Sequence, residues 1–168
     1  MPDPTELLTL ARRLSVGSGA SHPNDAELRR AVSTAYYALF HKVARAAAER
    51  FMGPGQENAA GFSILYRGLE HREIKSVCEA LQVSTLKQKY QTSLGRQFFS
   101  QDMKDFCSAL PALQEARHSA DYDPGRRFIP SDVASLIDAA ETAMDAFDRA
   151  AADEKTDVLA LMLVGARG

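Results

Sequence analysis

The sequence has few cysteines, no excess of positive charge and no long apolar run, and each absence narrows the class of protein. Only two cysteines occur among its 168 residues, Cys78 and Cys107. They form no C-x-x-C pair, and no histidine lies near them at metal-ligand spacing. This pattern predicts two buried thiols rather than a disulfide or a metal site, as is typical of a reducing compartment.

The charges of the chain nearly cancel. Its 20 Lys and Arg side chains face 22 Asp and Glu side chains, which gives a net charge of -2. Electrostatic binding of DNA or RNA over a large surface needs an excess of positive charge, which displaces counterions from the phosphates. The near-zero net charge therefore argues against a protein that binds DNA or RNA over a large surface. Binding of RNA or a nucleotide at a local basic patch stays possible.

Signals for a membrane, a phosphate loop and a metal are also missing. No apolar run approaches the roughly 20 residues that span a bilayer, and the start MPDPTELLTL is acidic, unlike a signal peptide. The Gly53-Pro54-Gly55 segment lacks the Lys and Ser/Thr of a P-loop. The four histidines show no ligand spacing. We therefore expect a cytoplasmic protein without membrane contact, metal or other cofactor.

Apolar residues recur at helical spacing along most of the chain, and no stretch alternates convincingly like a strand. Glycine, proline and capping residues mark the ends of the helices. The sequence predicts a short first helix with Thr5 as its N-cap, a loop over 16–23, and helices over about 24–52, 70–81, 100–122 and 130–147.

These elements predict an all-α fold, an antiparallel helical bundle of about five helices. We expect a single domain over residues 1–168, with its core at about 25–150. An N-terminal helix and loop (1–24) precede the core, and a C-terminal tail (151–168) follows it. The apolar part of that tail, 157–164, is expected to dock on the bundle or on a partner chain.

A polar stripe lies beside the apolar face of the long second helix. At spacings of three and four it consists of Arg30, Ser33, Tyr37, His41 and Arg45. Such groups could bind a phosphate, or titrate near neutral pH through His41. The alternative is a helix flank on which Tyr37 and His41 pack by their rings and hydrogen-bond at their tips.

A second polar group ends the helix at 100–122. Arg117 and Asp121 are four positions apart, so their side chains can pair on one helix face. Arg117 also lies one turn beyond Leu113, where its stem can be covered and its charge aimed at a neighbour. The alternative is an ordinary helix end that closes with an ion pair, with Tyr122 packing as the chain turns.

Taken together, the two segments resemble HEPN-domain proteins (higher eukaryotes and prokaryotes nucleotide-binding). The run S-T-A-Y-Y-A-L-F-H at 33–41 is similar to the S-x-A-Y-Y-A-x-F-H helix of that family. The run R-H-S-A-D-Y at 117–122 is similar to the R-x-x-A-D-Y ending of one prokaryotic branch. The resemblance covers about residues 25–150, the expected bundle core.

This resemblance implies a HEPN-like bundle of four or five helices, often a homodimer, encoded in bacteria or archaea. Many HEPN proteins are ribonucleases of toxin–antitoxin and defence systems. Their catalytic Arg and His are separated by four to six residues, and the motifs of two protomers meet at the dimer interface. Others lack the activity and serve as partners, often of nucleotidyltransferase-like proteins.

This chain departs from the catalytic pattern. The positions where that histidine would fall hold Tyr122, Asp123 and Pro124, and the next histidine is His118, directly after Arg117. Adjacent helical residues point about 100° apart, so His118 does not replace the missing group. A ribonuclease needs a proton-transfer group within hydrogen-bond reach of the reacting 2′-hydroxyl.

We therefore predict a dimeric, non-catalytic module of a toxin–antitoxin or defence type, associated with a partner protein, a nucleotide or RNA. One alternative is a metal-independent endoribonuclease with a non-standard site, whose candidate catalytic residues are Arg117, Asp121 and His41. The other is a purely structural bundle. The candidate ligand-binding residues are Arg117, Asp121, Tyr122, Tyr37, His41 and Arg30.

Overall fold

The computed structural model describes residues 2–17 and 22–165, and every regular element within these ranges is an α-helix. The predicted all-α bundle class is therefore confirmed. The described residues form eight helices: α1 (Pro4–Val16), α2 (Asp25–Met52), α3 (Ala60–Arg67), α4 (His71–Leu81), α5 (Gln88–Leu94), α6 (Gln101–Tyr122), α7 (Pro130–Arg149) and α8 (Ala152–Val164).

The count exceeds the predicted five because α3, α5 and the tail helix α8 were not foreseen as helices. With 8 and 7 residues, α3 and α5 are too short to show a repeating apolar face. Half of the loop predicted over 16–23, residues 18–21, lies outside the described residues, as does the end of the tail at 166–168, and Val16 still belongs to α1.

The first helix begins two residues earlier than expected, because its N-cap is Asp3 and not Thr5. The Asp3 carboxylate takes that role: Oδ1 accepts hydrogen bonds from the backbone N–H groups of Thr5 at 2.8 Å and Glu6 at 3.1 Å. Pro4 then occupies the first helical position, where its missing N–H costs nothing.

The long α2 begins and ends where the sequence predicts. Asn24 and Glu27 form a reciprocal cap: Asn24 Oδ1 accepts from the Glu27 N–H at 3.0 Å, and the Asn24 N–H donates to Glu27 Oε2 at 2.8 Å. The helix ends at Gly53, whose φ of +82° favours glycine.

The start of α6 and the course of α7 also agree with the sequence. The Ser100 hydroxyl accepts from the Met103 N–H at 3.3 Å, which makes Ser100 the N-cap of α6. The helix runs through Pro111 without ending. Pro130 is the first residue of α7, as expected from its position after the 123–125 turn.

Contacts within the chain define two compact units, each made of two segments. Unit 1 comprises residues 1–42 and 109–144, and unit 2 comprises residues 43–108 and 145–168. The division falls inside α2, α6 and α7, so each unit contains part of each of these helices. The organisation of the chain as a single domain stays a prediction.

The core of unit 1 is built on the apolar stripes expected from the sequence. At most 1% of the surface of each of its central side chains is exposed, and these are Val32, Tyr36, Leu39, Leu113 and Ile137. Burial of such side chains is the main driving force for folding. Because these apolar faces of α2 and α6 point into the core, the polar residues beside them lie at its edge.

The core of unit 2 centres on the aromatic pair Phe106 and Phe147, whose ring centroids are 4.9 Å apart. Helix α8 packs against α4 and buries Val158 and Leu159. The apolar tail therefore docks within its own chain, which was one of the two predicted possibilities.

Both cysteines lie in unit 2 and are buried free thiols, as predicted. Burial raises the pKa of the Cys78 thiol well above its ordinary value, and a hydrogen bond with Cys107 raises it further. A thiol held neutral in this way is a poor nucleophile and a poor metal ligand. Both side chains are buried and contribute to packing.

Ala151, the N-cap residue of α8, supplies no side-chain hydrogen bond. The first turns of α8 are instead tied to the guanidinium of Arg96. Arg96 lies 2.8 Å from both Asp153 and Asp157, and its hydrogen bond lowers the pKa of the Asp153 carboxyl.

None of the helices in the described ranges combines the length and apolar character that crossing a bilayer requires.

The aromatic core of unit 2 makes a stability prediction with a matched control. Phe106→Ala removes a fully buried ring and should lower the free energy of unfolding by about 3–5 kcal/mol. Phe98→Ala, at a ring that is 61% exposed, should change it by less than about 1 kcal/mol. Urea unfolding followed by circular dichroism measures both. Equal losses for the two variants would contradict the described core.

Candidate functional site

Five of the six candidate binding residues predicted from the sequence come together in unit 1. Three of them lie on the last turns of α6 and two on the middle of α2. One link between the helices is a hydrogen bond from Arg117 Nη2 to the hydroxyl oxygen of Tyr37, at 2.9 Å. The two motif segments therefore meet in space.

The guanidinium of Arg117 lies against two aromatic rings. Its central carbon is 5.4 Å from the centroid of Tyr37 and 5.8 Å from that of Tyr122. These distances are within the range of cation–π attraction, which strengthens when the cation is shielded from water. Only 20% of the Arg117 side chain is exposed.

Asp121 neutralises this charge. Its Oδ2 is 2.7 Å from Arg117 Nε, an ion pair whose angle does not satisfy hydrogen-bond geometry. Its Oδ1 accepts a hydrogen bond of 2.5 Å from the hydroxyl of Ser33. Ser33 is almost fully buried, with 2% exposed, so α2 fixes the carboxylate that α6 presents to Arg117.

Two opposing effects act on the pKa of Arg117. Burial of the guanidinium lowers the pKa, but the neighbouring Tyr37, Asp121 and Tyr122 outweigh it and leave the pKa raised. The side chain therefore stays cationic at any physiological pH. Arg117 serves as a fixed positive charge in this arrangement and has no capacity to transfer a proton.

Imidazole rings lie at both ends of this arrangement. The His41 ring stacks on Tyr37 with centroids 5.9 Å apart and planes at 25°. The His118 ring lies against Tyr122 with centroids 5.0 Å apart. We call the whole set the Arg117 cluster, which consists of Ser33, Tyr37, His41, Arg117, His118, Asp121 and Tyr122.

Arg30 is the one predicted binding residue that the structure does not bring into this cluster. Its side chain is exposed, and among the described residues no ion pair or side-chain hydrogen bond joins it to Arg117 or Asp121. Arg45, the last member of the predicted polar stripe, lies in unit 2. There it pairs with Glu49 at 2.7 Å and Glu57 at 3.0 Å.

The role of Arg29, the neighbour of Arg30, was not predicted from the sequence. Its guanidinium donates to the backbone oxygens of Ala120 at 2.9 Å, Asp123 at 3.0 Å and Arg126 at 2.5 Å. Its Nε is 2.7 Å from Asp25. A cation placed on the last carbonyls of a helix satisfies acceptors that the helix leaves open.

This cap bears directly on the site, because Asp121 and Tyr122 belong to the helical turn that Arg29 closes. The only signal in the sequence was the doublet Arg29-Arg30, which does not show which arginine faces inward. The structure distinguishes them by their contacts: Arg29 donates to the carbonyl of Ala120 on α6, whereas Arg30 is exposed.

Polar groups of the Arg117 cluster pair with one another, and this limits the reactions and ligands that the cluster can support. The guanidinium is already engaged by a carboxylate and a phenol, and Oδ1 of Asp121 is engaged by Ser33. The exposed residues of the cluster are His118, Asp121 and Tyr122, the last with 65% of its surface accessible. Within residues 2–17 and 22–165, no three His, Cys, Asp or Glu side chains are grouped so as to hold a metal ion.

Comparisons with protein-family models, with curated proteins and with solved structures each find no match to this chain. The resemblance to HEPN proteins therefore stays a prediction from the two motifs.

The Arg29 cap gives a testable difference between neighbouring residues. Arg29→Met removes the hydrogen bonds to the carbonyl of Ala120 at the end of α6 and to two carbonyls of the segment that follows it, and should lower the free energy of unfolding by about 1–3 kcal/mol. Arg30→Met, one position away and exposed, should change it by less than about 0.5 kcal/mol.

Denaturant unfolding gives the energies, and hydrogen exchange at residues 120–126 reports on the local effect. Faster exchange there is expected in Arg29→Met alone. If the two variants were equally stable and exchanged alike, Arg29 would not be the cap of α6.

Proposed function

We propose that this chain is a HEPN-like helical module that works by association and does not cleave RNA. Its associates are a second copy of the chain and a partner protein, of which a nucleotidyltransferase-like protein is the expected class. The setting is cytoplasmic and of the toxin–antitoxin or defence type. The motifs at 33–41 and 117–122 support the family, and the pairing of Arg117 supports the absence of catalysis.

The observation that carries the proposal is the pairing of the Arg117 guanidinium with a carboxylate and a phenol of its own chain. A catalytic arginine must offer its N–H donors to the scissile phosphate. Here Asp121 lies 2.7 Å from Nε, and Tyr37 accepts the bond from Nη2. An incoming phosphate would be repelled by the Asp121 carboxylate and would compete with it for the guanidinium, which favours a structural role for the arginine.

The histidines support the same conclusion. His118 is exposed and lies against Tyr122. His41 stacks on the Tyr37 ring, the same ring over which Arg117 lies. Neither arrangement supplies the Arg–His pair that the resemblance would require for cleavage.

One observation favours the ribonuclease as a second candidate. Tyr37 contacts both Arg117 and His41, so a guanidinium and an imidazole both lie against one phenol ring. If RNA opened the Arg117–Asp121 pair, Arg117 could hold the phosphate while His41 or Asp121 moved the proton. The two candidates predict opposite results with RNA.

The test is incubation of the purified chain with end-labelled RNA, both single-stranded and hairpin, in EDTA. We expect the RNA to stay intact, and light scattering to give the mass of a dimer or, after co-expression, of a complex. Cleavage by the wild type that is lost in Arg117→Ala would establish the ribonuclease instead.

Arg127→Ala is the matched control, because this arginine is 80% exposed and its ion pair with Asp25 is long, at 3.9 Å. Cleavage that persists in Arg117→Ala would indicate a contaminating nuclease. A chain that remains a monomer alone and binds none of the proteins encoded beside it would contradict association as its function.

A further inference from the structure

An open groove in unit 1 lies beside the C-terminal half of α6 and the first turns of α7. Its volume is about 590 Å³, and its lining includes Glu115, Asp123, Arg126, Phe128, Asp132 and Leu136. Volumes of this order accommodate a ligand of drug size or a few side chains of a partner. We call it the α6–α7 groove.

The groove is separate from the Arg117 cluster. Each helical residue turns the side chain by about 100°, so Glu115 and Arg117 point about 200° apart on α6. Of the residues that line the groove, none belongs to the cluster. Whatever binds there would leave the Arg117–Asp121 pair in place.

Negative charge dominates the lining. Three carboxylates, those of Glu115, Asp123 and Asp132, face the space from α6, the following turn and α7, against the single guanidinium of Arg126. Arg126 lies over the ring of Phe128, 5.3 Å from its centroid. Asp123 and Asp132 are exposed, so an incoming cation can reach them.

The groove also offers apolar surface between these charges. Two apolar side chains line it: Leu136, which is half-buried on α7, and Phe128, of which 6% is exposed. Lys and Arg side chains match such a surface, because their aliphatic stems cover apolar groups while their charged ends reach carboxylates. A phosphate backbone would be repelled by the same carboxylates.

From this complementarity we propose that the α6–α7 groove is the docking surface for a basic, amphipathic segment of a partner protein. Lys or Arg side chains of that segment pair with Asp132, Glu115 and Asp123, and its apolar residues lie on Leu136. The proposal deepens the function proposed above, on which it rests, because it gives the partner a chemistry and a place to bind.

The test uses a fluorescein-labelled synthetic helical peptide of Lys and Leu, with a Glu and Leu peptide of the same pattern as its control. The full chain should bind the first and not the second. Asp132→Lys should weaken binding by about tenfold or more, since one exposed interfacial charge is reversed.

Asp145→Lys is the matched control. Asp145 is exposed on the same helix, does not line the groove, and its replacement changes the net charge equally. It should weaken binding less than about twofold. In nitrogen-15 spectra, the peptide should shift amide signals at 115–136 and leave those of α8 unchanged.

Equal weakening in the two variants would overturn the proposal, because the peptide would then respond only to overall charge. Binding of spermine that competes fully with the peptide would overturn it in favour of a small polycation site. A change in the mass of the free chain on Asp132→Lys would overturn it in favour of a second copy in the groove. None of these results depends on RNA cleavage, so they are distinct from failure of the proposed function.

Discussion

The neutralisation of one largely buried cation governs the candidate site of this protein. Removing a guanidinium from water is costly unless charge and hydrogen bonds replace the lost hydration. Arg117 obtains both from its own chain, through Asp121, Tyr37 and the face of Tyr122. Because Ser33 fixes Asp121, the two motif segments on α2 and α6 are parts of one network. On the function proposed above, the same pairing that stabilises the network also competes with any phosphate for Arg117.

The parts of this arrangement that follow from local spacing could be predicted from the sequence. The i, i+4 spacing of Arg117 and Asp121 predicts their ion pair, and helical periodicity places Tyr37 and His41 on one flank of α2. Breakers and caps such as Gly53 and Ser100 fix where the long helices begin and end. These features depend on residues within one or two helical turns, where backbone geometry alone brings side chains together.

Contacts between distant segments could not be predicted, because no local rule selects the partner. Arg29 and Arg30 are the same residue type on the same turn, yet only Arg29 reaches the end of α6. The α6–α7 groove likewise depends on how two helices and a turn pack, and no motif marks it. Two nearby residues, Asp3 and Thr5, can each cap the start of a helix. This explains the error at α1, where Asp3 is the N-cap that was expected at Thr5.

The central claim is that Arg117 stays paired with Asp121 when RNA is offered. Nitrogen-15 spectra of the arginine Nε–H groups report this directly, with Arg117→Lys identifying the signal. We expect the Arg117 signal to keep its chemical shift and its slow exchange with water as a short RNA is titrated into the full chain. A shift that follows the RNA concentration and saturates would contradict the claim, since it would show the guanidinium leaving Asp121 for a phosphate.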